Sequence, residues 1–87
     1  IGMESGEMLI RFTIGRAVMM LLAADRFEAI EMDARLGALR IDATLHNSQL
    51  LLFNNGHGVV LGQTSKKIAE MAVRHWSKLL DEEGALA

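Results

Sequence analysis

The 87-residue chain has no cysteine, no proline and no tyrosine, and only three phenylalanines and one tryptophan. Without cysteine there is no disulfide framework and no thiolate metal centre, and nothing asks for an oxidising compartment, so a cytoplasmic location is expected. Without proline, the eight glycines must make the turns together with Asn and Asp, which favours short hairpins over long loops. Long apolar runs are missing too. The longest, Ala17 to Ala24, falls well short of the roughly 18–20 residues that span a bilayer, so no membrane contact is expected. Glu4 and Glu7 stand where a secretory signal would carry basic residues. An excess of charge is also absent. Nine basic residues against eleven acidic ones leave a formal net charge of −2, which gives no long-range field for drawing in nucleic acid or anionic lipid.

What the chain does have is apolar mass, 51% of its residues, and a domain this small needs it because nothing staples it. Two separate cores would need on the order of 50 residues each, so one α+β domain is expected over residues 8–84. Residues 1–7, where Ile1 and Gly2 precede Met3, are expected to be a flexible segment or an appended remnant.

Met8, Ile10, Phe12 and Ile14 alternate with Leu9, Arg11 and Thr13, which predicts a strand over 8–14. Ala, Met and Leu dominate 16–25 and predict an apolar helix. Signals conflict across 27–36. Composition favours extending the helix to about 33, whereas Ile30, Met32, Ala34 and Leu36 recur at strand period, and both outcomes stay open. Leu39, Ile41, Ala43 and Leu45 predict a strand over 38–46, and the Leu-rich stretch 49–54 a second strand, apolar on both faces. Asn54-Asn55-Gly56 predicts a type I′ hairpin into a short strand at 58–62. These strands make a small antiparallel sheet. Thr64 or Ser65 then caps an amphipathic helix over 65–83, whose inner arc carries Ile68, Ala69, Ala72, Val73, Trp76, Leu79 and Leu80. Gly84 ends it, and Ala85 to Ala87 are expected to fray.

Polar candidates for chemistry are few. His46, His57 and His75 stand at no i, i+4 metal-binding spacing, and no serine sits in a nucleophile elbow. Hence no catalytic residue, metal or cofactor is assigned. Lys67, Arg74 and Lys78 form a basic stripe on the last helix that could touch phosphates, yet Glu70 and Asp81 flank it and an ordinary solvated face is the simpler reading. Asn55-Gly56-His57-Gly58 resembles in part the Asn-His-Gly stretch of class II aldolases, where the histidine binds zinc. Here Gly56 intervenes and no His-x-His pair precedes it. Val59 to Leu80, with Trp76 facing inward, is similar to the closing strand and capped helix of pleckstrin-homology-like domains.

The apolar excess is the more informative feature. Met19, Met20, Leu21 and Leu22 point around all sides of any helix that contains them, and Leu51 and Phe53 add a second apolar face to a central strand. One small core leaves part of that surface wet, and such patches usually mark interfaces. The expected function is therefore a protein-binding or assembly module acting as a homodimer through Met19, Met20, Leu22, Leu51 and Phe53. An enzyme sharing a histidine, carboxylate or metal site between subunits around His46 or His57 is the rival reading. A nucleic-acid-binding regulator using Lys67, Arg74 and Lys78 is the third.

Overall fold

Alternation of apolar and polar residues builds most of the molecule. The computed structural model describes residues 1–6 and 9–87. Its strands are β1 (Gly2–Ser5), β2 (Ile10–Thr13), β3 (Ile30–Asp33), β4 (Ala38–Ala43), β5 (Ser48–Phe53) and β6 (His57–Leu61). They form one antiparallel sheet in the order β1-β2-β6-β5-β4-β3. The expected start of the second of these at Met8 lies outside the described residues. Because side chains alternate along each strand, one face collects Ile10, Phe12, Ile30, Leu39, Ile41, Leu50, Leu52 and Val60, all buried.

Two helices cover that face. Helix α2 (Lys66–Glu82) contributes Ala69, Ala72, Val73, Trp76 and Leu80 to the core, and α1 (Met20–Arg26) contributes Ala23. The Ser65 hydroxyl accepts from the Ile68 N–H at 3.2 Å, the expected N-cap. Trp76 meets Phe27 edge to face at 5.3 Å, which joins the helical layer to the segment after α1.

Strand period prevails over helix propensity in the contested stretch. Ile30 pairs with Ile41 and is buried, a gain that a continued helix would forfeit, so α1 stops at Arg26 and β3 follows. The helix also begins late. Val18 donates to the Asn54 carbonyl and bridges to Leu86, and Met19 donates to the Ala85 carbonyl, so 16–19 is held extended.

Both chain ends are ordered rather than loose. Gly2–Ser5, expected outside the fold, is the edge strand β1, because Met3 lies opposite Phe12 and packs against the core. Ala85 and Leu86, expected to fray, are buried. The reason is the helix terminus: Gly84 at φ +72° donates to Asp81 and Ala85 donates to Leu80, a paired motif that turns the chain back across Val18. The Arg16 guanidinium then grips the tail, donating to the Ala87 and Leu86 carbonyls and to Asp81.

The hairpin turn also differs from the type expected. Of Asn54, Asn55 and Gly56, only Gly56 has positive φ, and its N–H donates to Phe53. This is a type I turn closed by a glycine bulge.

Candidate functional site

Among the described residues, no helix lies on the second face of the sheet. Its side chains follow from strand register. One row runs across all six strands as Glu4, Arg11, Val59, Leu51, Arg40, Glu31. Leu61 stands opposite Gln49, Gln49 opposite Asp42, and Phe53 opposite Ala38, which faces Asp33. The two central strands thus carry Leu51, Phe53, Val59 and Leu61, each half-buried by neighbours in the same sheet. Charge is confined to the margins. Glu31, Arg40, Asp42 and Gln49 line a shallow hollow beside Leu51 and Leu61.

Arg40 is not free on this surface: its Nε donates to Asp33 at 3.0 Å. Asp33 also accepts from the Arg35 and Leu36 N–H groups, which fixes the β3–β4 turn. The Arg40 side chain, then the Leu36 N–H, hold this carboxyl below the usual aspartate range. Glu31 and Asp42 are left as the uncompensated acids of that margin, while Arg11 has no ion pair among the described residues.

The apolar residues singled out in the sequence fall on opposite sides of the molecule. Leu51 and Phe53 lie on the open sheet face. Met20 and Leu22 turn partly into the core. Met19 is 53% exposed, and Leu21 beside it 78%, on the helical side. Val59 and Leu61 complete the sheet patch. Their alternation with Gly58 and Val60 carried that information in the sequence, but it was masked by a strand only five residues long.

The polar candidates separate likewise. His57 is exposed at the start of β6. Lys67, Arg74 and Lys78 are exposed on α2, and Arg74 donates to Glu70, the ordinary i, i+4 pair. His46 closes the 3-10 turn Thr44–His46 and lies 5.7 Å, ring centre to ring centre, from His75 of α2. Its Nδ1 is buried with no hydrogen-bond partner. A groove beside it is lined by Leu45, Asn47, Gln63, Ile68 and Met71. Ile68, placed on the inner arc by periodicity, is instead 39% exposed at the mouth of this groove.

Among the described residues no group of three or more His, Cys, Asp or Glu side chains converges. No helix there is long and apolar enough to cross a membrane. The chain matches no family model and no curated protein. Among the described residues the sheet is single and open, and His57 belongs to no cluster of His, Cys, Asp or Glu side chains.

Proposed function

We propose that this chain is an assembly module that pairs with a second copy of itself through the open sheet face. The observation that carries the reading is the arrangement of that face, with Leu51, Phe53, Val59 and Leu61 at the centre and charged residues only at the rim. Dry centres with polar rims are the anatomy of protein interfaces. Charge favours a second copy as the occupant. A two-fold axis running along β5 lays Arg11 of one copy over Glu31 of the other and Leu51 over its own symmetry mate. Size is adequate too: stable interfaces bury about 800 Å² per partner, and the molecule measures 31 × 27 × 22 Å.

Charge placed at the centre tests this. Leu51→Lys puts an ammonium against its own symmetry mate and Val59→Lys puts one against Arg40 of the other copy, and sedimentation equilibrium is expected to show both as monomers. Leu21→Lys, on the opposite layer, is expected to leave the pairing intact. Equal self-association in all three variants would contradict the sheet-face reading.

A further inference from the structure

We propose that His46, His75 and Met71 form a binding site for a soft univalent metal ion of the copper(I) type. The site is independent of the sheet face. Three observations bring the donors into one region of the molecule. Met71 and His75 are four residues apart on α2, so their side chains leave the same side of the helix. His46 faces His75 from the 3-10 turn with 5.7 Å between ring centres. Met71 lines the groove into which His46 is set.

Spacing of the rings suits a shared ion. Two imidazoles bound at about 2.0 Å through nitrogen put their ring centres roughly 5.5–6.3 Å apart, for a bent to linear N–metal–N angle. His46 and His75 already stand at that separation. The ring facing His75 is also the one whose Nδ1 is buried and unpartnered, and such a nitrogen normally has a partner in a folded protein.

Donor chemistry selects the metal. Two neutral imidazoles and a thioether, with no carboxylate or thiolate, are a soft set that suits copper(I) better than zinc or magnesium. Leu45 and Ile68 border the groove with hydrocarbon beside the amides of Asn47 and Gln63.

Silver(I), a redox-inert surrogate, is the probe, titrated calorimetrically in chloride-free buffer, with anaerobic copper(I) competition against a coloured chelator as the second arm. One ion per chain and a raised melting temperature are expected, since a ligand of the native state stabilises it by mass action. Met71→Leu and His75→Gln are each expected to weaken binding at least about tenfold. His57→Gln, on the far hairpin, should leave it unchanged. Met71 and His75 are not fully buried, so both variants stay folded even where His46→Gln does not. Unsaturable binding, equal affinity in Met71→Leu and His75→Gln, or tighter binding of zinc than of silver would each overturn the assignment.

Discussion

Gly56 occupies a position that only glycine fills well. Its φ is +89°, and a β-carbon there would collide with the backbone of Arg16, because the β2–α1 connection is laid directly over the hairpin and Ile14 donates to the Gly56 carbonyl. Gly56→Ala therefore combines an unfavourable dihedral with a clash that only backbone movement relieves. A loss of about 2 kcal/mol or more is expected in urea unfolding; unchanged stability would show that the connection does not rest on the hairpin. Asp33 yields a pH prediction. Its carboxyl titrates below the ordinary value of 3.8 in the folded chain, so its contribution to stability is present above that value and lost as pH falls through the lowered one. The melting-temperature gap between the native protein and Asp33→Asn should be constant near neutrality and close below pH 3.8, whereas a gap that persists at lower pH would contradict the Arg40 pairing. Legibility at this scale was uneven. Ser65 could be read as a cap because capping is local. The meeting of His46 with His75 could not, since it depends on how the 3-10 turn docks against α2.

Elements with a strong period were visible before the fold was known. Strands β4 and β5 and helix α2 each bury one regular face, and a regular face leaves a regular spacing. Elements defined by tertiary hydrogen bonds were not visible. The residues before α1 have high helix propensity, yet Val18 and Met19 spend their N–H groups on Asn54 and Ala85, and tertiary pairing overrides propensity. Gly2–Ser5 shows no period because a four-residue edge strand buries little beyond Met3. The C-terminal tail reads as expendable because only Ala85, Leu86 and Ala87 follow the helix-ending glycine. Its worth comes from Leu86, 8% exposed against Val18. Leu86→Ala is accordingly expected to cost about 2–3 kcal/mol by thermal or urea unfolding. A cost below about 0.5 kcal/mol, the usual range for surface changes, would mean that the tail is not part of the core.

At the scale of the whole molecule the fold has two layers, with both helices on one side of a six-stranded sheet. The class and the antiparallel sheet were readable from alternation, and so was the surplus of apolar residues. Its distribution was not. Met19 to Leu22 drew attention as one all-round apolar run, and the short helix buries part of it, whereas the sheet patch draws on β5 and β6 together and appears only once their register is known. Pairing through that patch would make a four-layer arrangement, helices outside and two sheets within, at the usual sheet-to-sheet spacing of about 10 Å. The same face left wet would be an apolar surface without a partner. Light scattering on the native chain over a range of micromolar concentrations is the most direct test. A mass of twice 9.6 kDa, with the pairing weakened only slightly by added salt because the centre of the contact is apolar and only the rim pairs are screened, is the predicted result. A mass of 9.6 kDa at every concentration would contradict the account.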